Sequence, residues 1–301
     1  MKDYVVFSIS SNKKLAKDFA KFWNCPLGKV GIDKFADGET LVKSLTDVKG
    51  KDVLIIESTA KKPNERLFQL LLLLDSVNRG EAKSVELVIP YLGYSRQEKS
   101  TYQAEPISCE VMAKVLETGK YDRLMTLDLH NPVIESFFQR GIKNISTSDM
   151  FANYFSTYLS NKGYDFSDVV IVSPDHGSSV RADGLVYRFR GSRRVVLEKS
   201  RPEKDKVEHL ELSGDVTGKV CIIIDDIIST GQTIASASKL LYKKGAKEVI
   251  VGATHGVFSK DAVELLKKAR VKLIAVTNSI EQEEIEGVKV LDILQLIIQN
   301  I

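Results

Sequence analysis

The chain has 301 residues, 43% of them hydrophobic, enough for two packed cores of ordinary domain size. Lys and Arg number 43 against 40 Asp and Glu, and a net charge of +3 is too near neutral for a dedicated nucleic-acid binder. The three cysteines, Cys25, Cys109 and Cys221, make no C-x-x-C pair, so neither a disulfide framework nor a zinc site is signalled.

From the N-terminus, Met-Lys-Asp-Tyr-Val-Val-Phe-Ser lacks the apolar run of a signal peptide. Strands are predicted at Tyr4–Ser8, Asp52–Glu57, Ser84–Pro90, Arg123–Asp128, Val169–Ser173, Val195–Leu197, Val220–Asp225, Glu248–Thr254 and Lys272–Thr277. Several are continuously apolar, as buried parallel strands should be. Helical patterns lie between them at Asn64–Asn78 and at Thr233–Lys244, the latter stopped by Gly245. The longest apolar stretch, Leu70–Leu74, falls far short of the roughly 20 residues a membrane span needs. The expectation is an α/β protein of the cytoplasm, with neither a membrane nor a nucleic-acid partner.

Two stretches look like copies of one unit. Val48-Lys49-Gly50-Lys51, a strand, a helix and Ala82-Lys83-Ser84-Val85 match Val216-Thr217-Gly218-Lys219, a strand, a helix and Ala246-Lys247-Glu248-Val249. Two related domains are expected, 1–145 and 146–301. The copies differ after the strand, where one reads Glu57-Ser58-Thr59-Ala60-Lys61-Lys62-Pro63 and the other Asp225-Asp226-Ile227-Ile228-Ser229-Thr230-Gly231-Gln232-Thr233. Ligands of open α/β sheets bind beyond the carboxyl ends of the strands. Adjacent carboxylates facing a cleft there can accept from a sugar diol, and a loop leading into a helix N-terminus suits a phosphate. An acidic helix cap is the plainer alternative for the Asp-Asp pair alone.

The longer string resembles the phosphoribosyl-pyrophosphate motif shared by phosphoribosyltransferases and phosphoribosyl-pyrophosphate synthetases. Further segments decide between these. Phe35-Ala36-Asp37-Gly38-Glu39, Pro90-Tyr91-Leu92-Gly93-Tyr94-Ser95-Arg96-Gln97, Asp128-Leu129-His130 and Ser173-Pro174-Asp175-His176-Gly177 resemble the synthetases in order and spacing over nearly the whole chain. Lys199-Ser200-Arg201 resembles a K-R-R string of the same family, with serine in the middle. No G-x-x-x-x-G-K-[ST] or G-x-G-x-x-G is present. The chain thus resembles the ribose-phosphate pyrophosphokinases.

That resemblance implies two tandem, duplicated phosphoribosyltransferase-like domains with mostly parallel sheets, the first on the ATP side and the second holding ribose 5-phosphate. It implies transfer of a diphosphate from Mg-ATP to the sugar 1-hydroxyl, with AMP leaving. ATP would meet Phe35, Asp37, Gly38, Glu39, Arg96 and Gln97; ribose 5-phosphate would meet Asp225, Asp226, Ser229, Thr230, Gly231, Gln232 and Thr233. His130 and Asp175 would hold Mg²⁺, and Lys199 and Arg201 would stabilise transition-state charge from a mobile loop spanning 199–213. A homo-oligomer built on dimers is implied too. Ser229 and Gln232 stand where the synthetases usually carry Asp and Gly. Ala104 and Gly80-Glu81 replace residues that, in the best-known class, serve a second anion site where ADP inhibits and phosphate activates. Two rivals are a phosphoribosyltransferase and a non-enzymatic regulatory subunit. The first is opposed by the Phe35–Glu39 and Lys199–Arg201 segments, the second by retention of His130, Asp175, Lys199 and Arg201.

Overall fold

The computed structural model describes residues 3–174, 179–200 and 209–301. Its backbone divides into two units. One comprises the chain up to Ile145 with Asn278–Glu281 and Asp292–Ile301; the other comprises Ser146–Thr277 and Gln282–Leu291.

In the first unit β1 (Tyr4–Phe7), α1 (Lys13–Phe22), β2 (Val30–Lys34), β3 (Thr40–Ser44), β4 (Asp52–Ile56), α2 (Pro63–Arg79), β5 (Ser84–Ile89), α3 (Ser108–Leu116), β6 (Arg123–Leu127) and β7 (Lys143–Ile145) follow in order. Five strands form a parallel sheet in the order β1-β4-β5-β6-β7. β2 and β3 make a separate antiparallel ribbon that the apolar periodicity does not reveal, because its residues are mostly exposed. Helix α2 starts on Pro63, where a missing N–H costs nothing, with acidic Glu65 in its first turn and Arg79 in its last.

The second unit runs α4 (Ser148–Asn161), β8 (Val169–Ser173), α5 (Ser179–Arg188), β9 (Arg193–Ser200), β10 (His209–Leu212), β11 (Val220–Ile228), α6 (Gln232–Lys243), β12 (Glu248–Gly256), α7 (Ala262–Lys268), β13 (Leu273–Thr277) and β14 (Val288–Leu291). Its sheet has the order β10-β9-β8-β11-β12-β13-β14, parallel except for the β9–β10 hairpin. Helix α8 (Leu294–Ile298) returns to the first unit. There Arg123 donates to the carbonyls of Asn300 at 3.0 Å and Ile301 at 3.3 Å.

The duplication extends to individual hydrogen bonds. Gly50 and Gly218 both sit at positive φ, 68° and 70°, in equivalent turns. Gly50 N–H donates to Glu81 O and Gly218 N–H to Gly245 O; Lys83 N–H donates to Lys51 O and Lys247 N–H to Lys219 O. The repeated glycine and lysine thus mark one turn built twice, each glycine supplying a left-handed conformation.

One expectation is corrected. Residues 199–213 are not wholly loop: Leu197, Glu198, Lys199 and Ser200 pair antiparallel with Leu212, Glu211, Leu210 and His209. Among the described residues β10 is an edge strand, where charged residues are tolerated, so its polar pattern resembles a loop. Residues 201–208 lie outside the described part of the chain.

Candidate functional site

β11 is the central element. Its pairing with β8 ends at Ile223, while pairing with β12 continues to Ile228. Side chains alternate across it. Cys221 and Ile223 pack in the cluster that holds Ile234 and Leu241 of α6 and Leu266 of α7. Val220, Ile222 and Ile224 pack in the other cluster, with Phe155 of α4 and Ala182 and Leu185 of α5. The two acids continue this alternation and do not share a face. Asp225 is half-buried on the α6 side, and its Oδ1 accepts from the Asp226 N–H at 2.9 Å. Asp226 is buried, and its Oδ1 lies 3.7 Å from Nη1 of Arg181 in the first turn of α5.

Beyond Ile228 the chain turns through Ser229 and Thr230 into α6. Gly231 is the N-cap, in the left-handed region at φ 75°, and offers no side-chain cap. The Ala235 N–H donates to Gly231 O at 2.8 Å, so the N–H groups of Gln232, Thr233 and Ile234 precede the first intrahelical donor and have no carbonyl of the helix to bond. Together with the helix dipole, they form a positive end suited to a phosphate. The loop is braced from below: Ser259 N–H donates to Ser229 O, and Val257 and Phe258 N–H both donate to Ile228 O. A cleft of about 330 Å³ opens beside Thr230 and Gln232, with Lys260 and Lys268 on its walls.

In the first unit the residue after the matching strand β4 turns inward. Glu57, at the end of β4, is fully buried. Its carboxylate accepts from the N–H groups of Ile9 (2.9 Å), Ser10 (3.0 Å) and Ser11 (3.0 Å) and from the hydroxyls of Ser8 and Ser10. Arg66 Nη1 lies 3.3 Å away. An internal carboxylate thus occupies the donors that follow β1.

Phe35–Glu39 forms the tip of the β2–β3 ribbon. Gly38, at φ 96°, closes the turn by donating to Phe35 O, and Asp37 Oδ1 accepts from the Glu39 N–H at 3.1 Å. Phe35 is 57% exposed. Arg96 and Gln97 are exposed after β5, and among the described residues Arg96 pairs with no carboxylate. The Gln97 backbone is engaged, donating to Tyr94 O and accepting from the Cys109 N–H.

His130 is half-buried just past the end of β6. Asp128, between them, is buried and held at φ 35°, an unusual conformation for a non-glycine residue. Strain of this kind concentrates at functional sites. Asp175 and Arg201 lie outside the described residues, and of Lys199 the backbone alone is described, opposite Leu210. Among the described residues no group of three or more His, Cys, Asp or Glu could hold a metal. Burial pushes the Cys221 thiol up to about 12; burial, then the charge of Glu98, does the same for Cys109. Both thiols are buried and stay protonated, as structural cysteines do. Sequence reasoning passed over Arg181 and Ser259, since nothing local in the sequence links either to the β11 loop.

Comparison with known proteins agrees with this architecture. Residues 4–119 match the family described as the N-terminal domain of ribose phosphate pyrophosphokinase, and residues 194–301 match the phosphoribosyl synthetase-associated domain. A ribose-phosphate pyrophosphokinase of Bacillus cereus is 39% identical over 295 residues, covering 97% of this chain and 91% of that one. That of Bacillus subtilis is 38% identical, covering 100% and 93%. The crystal structure of a phosphoribosylpyrophosphate synthetase from Mycobacterium smegmatis superimposes with a TM-score of 0.90 at 31% identity, covering 99% of this chain and 97% of that one. The chain belongs to the ribose-phosphate pyrophosphokinase family. It is an enzyme, a transferase of that class.

Proposed function

We propose that the enzyme joins ATP and ribose 5-phosphate to give 5-phosphoribosyl 1-diphosphate and AMP. The ribose 1-hydroxyl oxygen forms a bond to the β-phosphorus of ATP. The bond from that phosphorus to the α,β-bridging oxygen breaks, AMP leaves with the electron pair, and the hydroxyl proton is released to water. The observation that carries this reading is the second unit's pairing of a half-exposed carboxylate, Asp225, with an uncapped helix start at Gly231–Thr233. Asp225 accepts from a sugar hydroxyl; Ser229, Thr230, Thr233 and the leading N–H groups of α6 take the 5-phosphate, with Gln232 beside them.

On the nucleotide side Asp37 and Glu39 offer acceptors for an exocyclic amine, Gly38 lets the backbone come close, and Phe35 offers a ring face. Arg96 and Gln97 supply polyphosphate donors. Lys199 and Arg201 stabilise charge that spreads over the transferred group. His130 and Asp175 would hold a hydrated Mg²⁺ carried chiefly by the nucleotide's phosphates. When bound, the ion neutralises phosphate charge.

No helix among the described residues is long and apolar enough to cross a membrane, and the reading places the enzyme in the cytoplasm. The apolar Ile32, Leu41 and Leu45, exposed along the β2–β3 ribbon, are the kind of surface a homo-oligomer built on dimers would cover. The test is AMP release from Mg-ATP with and without ribose 5-phosphate. Release that depends on the sugar supports the synthetase. Consumption of the diphosphorylated sugar with a nucleobase supports a phosphoribosyltransferase, and silence in both assays supports a regulatory subunit.

A further inference from the structure

The geometry points to Arg181 as a positioning residue for ribose 5-phosphate, acting through Asp226 to fix Asp225. The inference rests on the sugar-site reading above and goes beyond it, because it gives the two adjacent acids different work. Asp226 continues the Val220–Ile222–Ile224 face of β11, which packs on α4 and α5, and its side chain is 4% exposed. A carboxylate so enclosed needs a charged partner or several donors. Arg181 stands on the facing helix, its side chain 14% exposed and its Nη1 3.7 Å from Asp226 Oδ1. It is anchored by its neighbours Ala182 and Leu185, both buried in the same cluster.

The link to the sugar passes through the backbone. The Asp226 N–H donates to Asp225 Oδ1 at 2.9 Å. Among the described residues β8 pairs with β11 as far as Ile223, so Asp226 lies beyond that pairing and Arg181 meets its side chain there. With Asp226 held toward α5, its N–H keeps the Asp225 carboxylate on the α6 side, beside the loop that begins at Ser229. Two acids that repel one another are thereby separated, one kept inside as a brace and one offered to the ligand.

Steady-state kinetics on the full-length enzyme test this. Arg181→Gln, Asp226→Asn and the double variant are compared for KM toward ribose 5-phosphate and toward Mg-ATP, with melting curves alongside. Arg181→Gln is expected to raise KM for ribose 5-phosphate about tenfold while KM for Mg-ATP changes less than about twofold. In the Asp226→Asn background the same change should add less than about twofold, because the partner is already gone. Arg181→Lys, which keeps the charge, should recover KM to within about threefold of wild type. A full tenfold rise in both backgrounds, or equal rises for the two substrates, overturns the inference. If Arg181→Gln does not fold, the cycle is run with Arg181→Met, which removes the charge and keeps an apolar stem, and an equal rise with and without the Asp226 carboxylate overturns it. Asp225→Asn separates the two levels. Unchanged sugar affinity in that variant removes the sugar site itself, whereas a defect there with a silent Arg181→Gln removes only the role of Arg181.

Discussion

At the scale of single residues, Asp225 and Lys199 carry different parts of the proposed reaction, and their substitutions should read differently. Asp225 is half-buried with one oxygen already accepting from the Asp226 N–H. Its other acceptor capacity would form charge-assisted bonds to sugar hydroxyls, each stronger than a neutral one. Asp225→Asn should therefore raise KM for ribose 5-phosphate by about tenfold and KM for ATP by much less, measured separately with the other substrate saturating. A selective loss of ATP affinity would show that the subsites are exchanged. Lys199 lies on β9 in register with Leu210. An interaction made only in the transition state lowers kcat and leaves KM alone. Lys199→Ala should cut kcat on the order of a hundredfold or more with both KM values nearly intact. Near-normal turnover would remove Lys199 from the chemistry.

At the scale of elements, the strand-to-helix connections of the two units test how one fold can hold a ligand or plug itself. The turn into α6 depends on Gly231, whose φ of 75° is costly for any L side chain, and an added Cβ would approach Ala262 O to 3.2 Å. Gly231→Ala should lower stability by roughly 1–2 kcal/mol and weaken binding of the sugar 5-phosphate, read from a denaturant melt and from KM. A variant with wild-type stability and wild-type KM would show that α6 tolerates another start. In the first unit Glu57 follows the matching strand and turns inward. Removing it by Glu57→Ala leaves the half-buried Arg66 and the N–H groups of Ile9, Ser10 and Ser11 without their shared acceptor. Losing one partner of a buried ion pair typically costs about 3–5 kcal/mol, and the melting temperature should fall by several degrees. A change below about 1 kcal/mol would mean that water or a neighbouring group replaces the carboxylate.

At the scale of the whole molecule, the open question is control. The resemblance leads one to expect a second anion site that involves Ala104 and the Gly80–Lys83 turn. Ala104 offers no guanidinium, and it occupies a left-handed position at φ 62°. Glu81, at φ 59°, adds a negative charge; it pairs with Lys49 at 2.7 Å, and Lys83 turns toward Asp52 at 3.8 Å. Both lysines near this turn thus already have acidic partners, although such exposed pairs are weak and yield readily. Inhibition by ADP should therefore be competitive with ATP, and activity should need no inorganic phosphate beyond a general salt effect. Initial rates against ATP at several ADP concentrations, with and without phosphate, decide the matter. ADP inhibition that survives saturating ATP, together with a phosphate requirement, would show a regulatory site in altered form.

Much of this protein is local and therefore readable along the chain. Buried parallel strands announce themselves as continuous apolar runs, and the two Val-x-Gly-Lys turns repeat because each needs a left-handed glycine before a core strand. The Asp225–Thr233 string is equally local, since a strand end, a turn and a helix start are contiguous in sequence. The β2–β3 ribbon and edge strand β10 are less legible, because strands that bury little carry no apolar signature. Nor does the sequence reveal that residues 292–301 return to the first unit, where Arg123 meets the carbonyls of Asn300 and Ile301. The division of labour between Asp225 and Asp226 is likewise tertiary. Adjacent in sequence, they look equivalent. Strand alternation turns one toward α6 and the other toward α5, and only packing brings Arg181 to the buried one.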